Sequence, residues 1–159
     1  MTTQEVEKLI PSSFHNESKV WIYQSSRAFI EKEQKEIDEQ LEQFYTQWLA
    51  HGEQVNGWAK LLFNQFIVVI ADTTGAHVSG CSIDSMEIVI KSIQRQYSVN
   101  FFDRMTLTFL RNGKAEMLPF SQVQYALDNG MINANTLTFN NIATTKKELL
   151  ETWLVPLKD

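Results

Sequence analysis

A thiol, an imidazole and several hydroxyl and carboxylate groups lie close together in residues 72–84, with the sequence DTTGAHVSGCSID. They lie between an apolar run that predicts a buried strand and a periodic stretch that predicts a helix. Gly75 and Gly80 frame four residues, and Cys81 and Ser82 follow. The pattern is that of a phosphate-binding loop, G-x-x-x-x-G-K-[ST], with cysteine in place of the lysine. Because that lysine neutralises charge on the terminal phosphates, we expect no hydrolysis of ATP or GTP.

Three interpretations of this segment stay open at the level of sequence. Free backbone N–H groups at the start of a helix could bind a phosphate or another anion along residues 75–82. The Cys81 thiol could act as a nucleophile or a redox sensor with His77, four residues upstream, as its base. The segment could also be a purely structural loop, whose polar groups form hydrogen bonds only within its own turns. The candidate functional residues are therefore Gly75, His77, Ser79, Gly80, Cys81, Ser82 and Asp84.

Of these interpretations, the structural one is favoured for the thiol. The neighbouring apolar residues Val78 and Ile83 indicate close packing of this turn onto the edge of a sheet, so we predict a slow, structural Cys81 thiol. A metal site formed by the thiol and His77 is not favoured, because His15 and His51 are distant in sequence and no further ligands cluster there. No cofactor is expected.

Composition and charge exclude several classes of protein. The chain has 159 residues, of which 43% are hydrophobic, enough for one domain with a sizeable core. Residues 1–54 carry 5 Lys and Arg against 10 Asp and Glu, and the rest is balanced, so we expect no nucleic-acid partner. The longest apolar run has six residues, whereas a membrane span needs about 20. One cysteine and no apolar leader indicate a cytoplasmic protein.

The elements that must position these residues follow from periodicity and turn signals. The expected order is strand, helix, strand, strand, helix, strand and a hairpin strand, at residues 19–24, 30–49, 55–63, 65–72, 84–97, 105–110 and 114–118. Asp84 and Glu87 resemble a capping box for the second helix. This order predicts an α+β, ferredoxin-like split βαβ sandwich (β-α-β-β-α-β) with an added hairpin strand. We divide the chain into an N-terminal lead-in (1–18), the sandwich core (19–118) and a helical C-terminal extension packed on it (119–159).

Hydrophobic spacing also predicts the core. Helix residues Ile37, Leu41, Phe44 and Trp48 recur three and four positions apart. The residues expected to be nearly fully buried between sheet and helices are Phe44, Val68, Ile70, Val89 and Ile93.

Several strings together resemble a known family. They are VWIYQSSRAF, QWLAHG, FNQFIVVIAD, SGCSIDS, INANTLTFNN and WLVPLKD. Over about residues 20–157 the chain resembles a family of small bacterial proteins of about this length that often carry the label "ABC transporter ATPase". The resemblance implies a cytoplasmic setting and the fold, and no established activity. The sequence itself has neither the phosphate-loop lysine nor an LSGGQ-type signature, so it does not support that label.

The functional prediction is a non-enzymatic cytoplasmic protein that binds a protein partner or self-associates. It rests on high aromatic and apolar content without a complete catalytic set. The alternatives are a small thiol-dependent enzyme or redox sensor using Cys81 and His77, and a phosphate-binding domain at residues 75–82.

Overall fold

The structure, a computed structural model, describes residues 1–72 and 78–157. Within these residues the chain forms five α-helices and nine β-strands, and a 3₁₀ turn at Phe120–Gln122. The helices are α1 (Thr3–Leu9), α2 (Glu31–Thr46), α3 (Gly80–Tyr97), α4 (Val123–Asp128) and α5 (Lys146–Thr152). The strands are β1 (Lys19–Gln24), β2 (Leu49–Ala50), β3 (Glu53–Gln54), β4 (Asn56–Leu62), β5 (Phe66–Asp72), β6 (Thr106–Arg111), β7 (Lys114–Pro119), β8 (Leu137–Phe139) and β9 (Leu154–Pro156).

The strands form two main antiparallel sheets, which confirms the predicted α+β class. The first sheet has the order β1-β5-β4, the second has the order β7-β6-β8-β9, and β2 and β3 form a short ribbon. Strand β5 is buried along its whole length, as its continuous apolar sequence predicts. Asn112 and Gly113 form the two-residue turn between β6 and β7 and adopt the positive φ angles that such a turn requires. The loop between β4 and β5 has three residues, 63–65, and Phe63 and Asn64 have positive φ there.

The first sheet is covered on both faces. Helices α2 and α3 pack on one face, where Leu41 and Ile90 meet Val69. Helices α1 and α5 and part of the second sheet cover the other face, where Val6 and Trp153 join one cluster. The strand at the centre of the molecule is therefore enclosed by apolar side chains from four helices.

The fourth strand of the expected ferredoxin-like sheet takes a different place. In that arrangement it lies beside the first strand, but β6 pairs instead with β7 and β8 in the second sheet. Phe109 of β6 packs with Ala126 and Ile132 in a separate cluster, and this burial draws the strand away from β1. The first sheet is left with three strands, and β1 is one of its edges.

The predicted core is confirmed in three of its five residues. Val68, Ile70 and Ile93 are fully buried, whereas Phe44 and Val89 are only half-buried. The two exceptions lie on the flanks of their helical stripes, where a helix face turns from the sheet toward solvent. Among the described residues, none of the helices combines the length and apolar composition needed to cross a membrane.

Candidate functional site

The first turn of α3 holds most of the predicted site residues. Ser79 is the N-cap of this helix, and its Oγ accepts a hydrogen bond of 3.1 Å from the Ser82 amide. In return, the Ser79 amide donates a 2.7 Å bond to Ser82 Oγ. The helix therefore begins at Gly80. The expected cap at Asp84 is wrong, because Ser79 and Ser82 already cap the N-terminal N–H groups of the helix about one turn earlier. Asp84 lies inside the helix and is exposed. Gly75 and His77 lie outside the described residues.

The Cys81 thiol faces solvent. The turn does pack against the core through Val78 and Ile83, as expected. The burial expected for Cys81 itself is wrong, because the early start of α3 turns Ser82 inward and its neighbour outward. Ser82 is 1% exposed, and its backbone carbonyl accepts a hydrogen bond of 2.8 Å from Trp48 Nε1. Exposure is what thiol chemistry requires. Within 1–72 and 78–157, no group of three or more His, Cys, Asp or Glu side chains could hold a metal ion.

A second candidate site, which the sequence did not indicate, is a groove of about 680 Å³ beside β1; we call it the β1 groove. It occupies the side of the first sheet from which β6 is absent. Its lining comprises Val20–Gln24 of β1, Glu87, residues 101–104, Thr106, Leu107, Phe120 and residues 139–144. These segments come from distant parts of the sequence, and each of them resembles ordinary core or loop on its own. Only the pairing of β6 in the second sheet creates the groove.

The backbone of β1 alternates between its partner strand and the groove. The Val20 amide points away from β5 and donates a 3.0 Å hydrogen bond to the Thr144 carbonyl, and the Ser18 carbonyl accepts 2.9 Å from the Lys146 amide. By the period of a strand, the N–H and C=O of Ile22 point the same way, into the groove. Among the described residues neither of these groups has a hydrogen-bond partner.

Both ends of this open edge are closed. At one end the chain near Thr145 forms a bridge with Lys19. At the other end Gln24 Oε1 accepts 3.0 Å from the Asn141 amide, and Gln24 Nε2 donates 3.4 Å to the Thr106 carbonyl. These contacts hold the second sheet and residues 140–146 against β1 and leave Ile22 open between them.

The wall of the groove on the α3 side is aromatic and weakly acidic. The Tyr23 and Phe102 rings meet edge to face at 5.8 Å. Burial, together with the negative charge of Glu87, raises the pKa of Tyr23 to about 12, so its hydroxyl stays neutral. The charged lining residues are Glu87, Asp103 and Arg104. Asp103 is also structural, since its carboxylate accepts hydrogen bonds of 2.8 Å from the Met105 amide and 3.2 Å from the Thr106 hydroxyl.

The opposite edge of the same sheet shows how this chain closes a strand edge. There α2 packs along β4, and Asp38 Oδ1 accepts a hydrogen bond of 2.9 Å from the outward-facing Leu61 amide. Lys60 Nζ lies 3.3 Å from the other oxygen of the same carboxylate. Exposed strand edges invite pairing and are usually covered in this way. Ile22 has no such cover among the described residues.

Comparisons with known protein families, with characterised proteins and with solved structures found no match to this chain. The resemblance to the small bacterial family stays a prediction. Function is therefore inferred from the β1 groove and from the first turn of α3.

Proposed function

We propose that this chain is a non-enzymatic cytoplasmic protein that binds a protein partner, and that the β1 groove receives that partner. The observation that carries the proposal is the open backbone edge at Ile22 on the floor of a groove with aromatic walls. Aromatic residues beside exposed hydrogen-bonding groups are typical of protein-binding surfaces. The single cysteine of the chain supports the cytoplasmic setting.

The chemistry of the lining favours binding over catalysis. Among the described residues the groove presents no Ser, Cys, His or Lys side chain, and the Thr106 hydroxyl is held by its 3.2 Å hydrogen bond to the Asp103 carboxylate. Asp103 holds the loop that precedes β6, and the Tyr23 hydroxyl stays neutral at physiological pH. The groove can therefore offer shape, apolar surface and backbone hydrogen bonds.

Photo-crosslinking in cells that naturally express the protein tests this proposal. The photoreactive residue p-benzoylphenylalanine replaces Phe102, which lines the groove and is 43% exposed. The matched control carries it at Tyr125 on α4, which is 66% exposed and outside the groove lining. We expect one discrete protein adduct from position 102 and none of the same mass from position 125.

Two outcomes would count against this assignment of the surface. Equal adducts from both positions, or none from position 102, would reject the groove as the partner's binding site. An adduct of about twice the 18.4 kDa mass of the chain would identify the partner as a second copy and favour self-association.

A second candidate function, thiol chemistry at Cys81, is favoured by one observation. The thiol is exposed in the first turn of the 18-residue helix α3, where a reagent can reach it. Binding of a phosphate or another anion in residues 75–82 stays a prediction, since residues 73–77 lie outside the described part of the chain.

A further inference from the structure

We infer that the β1 groove binds its partner as an extended peptide segment that pairs with β1 as an added strand. This inference rests on the proposed function, because it specifies how the partner occupies the same groove. Its starting point is the backbone of Ile22, whose N–H and C=O face the groove without a partner among the described residues. An extended peptide supplies the complementary C=O and N–H with the geometry of a sheet.

The length of the open edge sets the length of the ligand. The Val20 amide already donates to the Thr144 carbonyl, and the Gln24 side chain donates to the Thr106 carbonyl of the second sheet. Among the described residues, the groups without a partner in between are the Val20 carbonyl, both backbone groups of Ile22 and the backbone N–H of Gln24, a span of about 10 Å. A peptide of roughly three to five extended residues pairs with such an edge.

The walls of the groove decide between a single strand and the sheet edge of another folded domain. Phe102 packs on Tyr23 and Asn141 bonds to Gln24, and these two successive residues of β1 point to opposite faces of the sheet. A second sheet approaching edge to edge would carry neighbouring strands and covering helices into these walls. A lone extended segment, such as a tail or loop of the partner, has the width of one strand and fits between them.

Side-chain alternation along a strand predicts the sequence of the segment. Ile22 points toward the apolar cluster of Val20 and Phe139, so the peptide residue opposite it meets apolar surface. The residues on either side of that position point the other way, toward Tyr23 and Glu87. An apolar residue next to a Lys or Arg therefore fits best, with the cation beside the Glu87 carboxylate and the Phe102 ring.

The direct test selects peptides from a display library of random 12-residue sequences on the whole protein. A selected peptide is then titrated against the wild type, Ile22→Pro and the control Ile22→Val. Proline removes the outward N–H and leaves the pairing with β5 intact, because residue 22 turns that group away from β5. We expect Kd to rise about tenfold for Ile22→Pro, from the lost hydrogen bond and the obstructed edge, and to stay within about twofold for Ile22→Val.

Amide hydrogen exchange on the wild type keeps the test decisive even if the proline variant fails to fold. Saturating selected peptide should slow exchange of the Ile22 amide, which is unpaired in the free protein, at least about tenfold. The Tyr23 amide, which already faces β5, should change little. Selected peptides should also be enriched in an apolar residue adjacent to a Lys or Arg.

Strand addition is overturned by an unchanged Kd for a folded Ile22→Pro variant, by an Ile22 amide that exchanges equally fast with peptide bound, or by a library that yields no binder. Concentration-dependent dimers that Ile22→Pro abolishes would overturn it in favour of a second copy. None of the first three results affects crosslinking at Phe102, so a partner adduct there would preserve the proposed function. Loss of that adduct would reject both.

Discussion

Trp48 Nε1 donates a hydrogen bond of 2.8 Å to the main-chain oxygen of Ser82. The bond joins the segment after α2 to the first turn of α3, where the candidate residues of the thiol site lie. The same indole, 2% exposed, packs against Gly57 of β4. A Cβ at Gly57 would come within 2.6 Å of Trp48 Cε3. Because Gly57 has no side chain, the Trp48 ring fits against β4, and its Nε1 hydrogen bond then positions the first turn of α3.

The first prediction follows from this packing. Gly57→Ala should lower the free energy of unfolding by about 1–3 kcal/mol, because the buried indole has no room to move away from the new methyl group. Urea denaturation followed by tryptophan fluorescence measures the change. The control is Gly80→Ala, at an exposed helical position where nothing lies within 4 Å of the new Cβ, and it should leave stability unchanged or slightly higher. Equal stabilities for the two variants would contradict the tight contact.

Local sequence patterns predicted where the helices and strands lie better than they predicted which strands pair with each other. The continuous apolar run of β5 marked a central strand, and the Asn-Gly turn before β7 fixed a hairpin. The stripe of α2 predicted burial of Ile37 and Leu41, although the helix ends at Thr46, before Trp48. Such features are decided by residues within one or two turns of each other.

The features that the sequence did not reveal depend on long-range competition. Phe109 gives no local sign that its strand belongs beside β8 rather than β1. The β1 groove exists because of that choice. The N-cap of α3 had two local solutions, Ser79 with Ser82 and Asp84 with Glu87, and the structure adopts the first, which lets Ser82 bond to Trp48. The spacing of residues in the sequence does not decide between these two caps.

A second prediction concerns the closed edge of the first sheet. Asp38→Ala removes the acceptor of the Leu61 amide and should lower the free energy of unfolding by about 1–3 kcal/mol. Asp38→Asn keeps an acceptor oxygen and should lose less than half of that. Glu39→Ala, an exposed change on the same helix, is the control for helix propensity. Equal losses for the two Asp38 variants would assign the effect to the ion pair with Lys60 instead.

A third prediction concerns pH and the start of α2. Two parallel hydrogen bonds of 2.9 Å from the Arg27 guanidinium, with a third of 3.1 Å from the Ile30 amide, lower the pKa of Glu33 to about 2. Because the pKa in the folded state lies below the ordinary value of 4.5, the unfolded chain takes up the proton first as pH falls. The stabilisation is therefore complete above about pH 4.5 and declines toward pH 2.

The variant Glu33→Gln measures this contribution. At pH 7 it should be less stable than the wild type by about 1 kcal/mol, the upper range for a pair near the surface. In urea titrations, the difference in unfolding free energy between wild type and Glu33→Gln should shrink between pH 5 and pH 3. The corresponding difference for Glu39→Gln, which is outside the ion pair, should be smaller at every pH. A Glu33→Gln difference that is independent of pH would show that the carboxylate charge contributes nothing to stability.

The last prediction concerns Cys81 and separates an exposed thiol from a catalytic one. Because the residue faces solvent on α3, iodoacetamide should alkylate native protein without denaturant, at a rate within about threefold of that for protein unfolded in urea. Mass spectrometry at timed intervals gives both rates, and Cys81→Ser, which should take up no label, confirms the site. Labelling that waits for denaturant would mean that the turn closes over the thiol after all.

The dependence of this rate on His77 decides whether the thiol is part of a site. A nucleophilic or redox-sensing thiol needs a base that draws off its proton, so His77→Ala would slow alkylation markedly near neutral pH. We expect the rate to be unchanged in His77→Ala, and crosslinking at Phe102 to be unchanged in Cys81→Ser, since that thiol lies outside the lining of the β1 groove. A rate that falls more than about tenfold without His77 would make the thiol the functional centre and the groove a secondary feature.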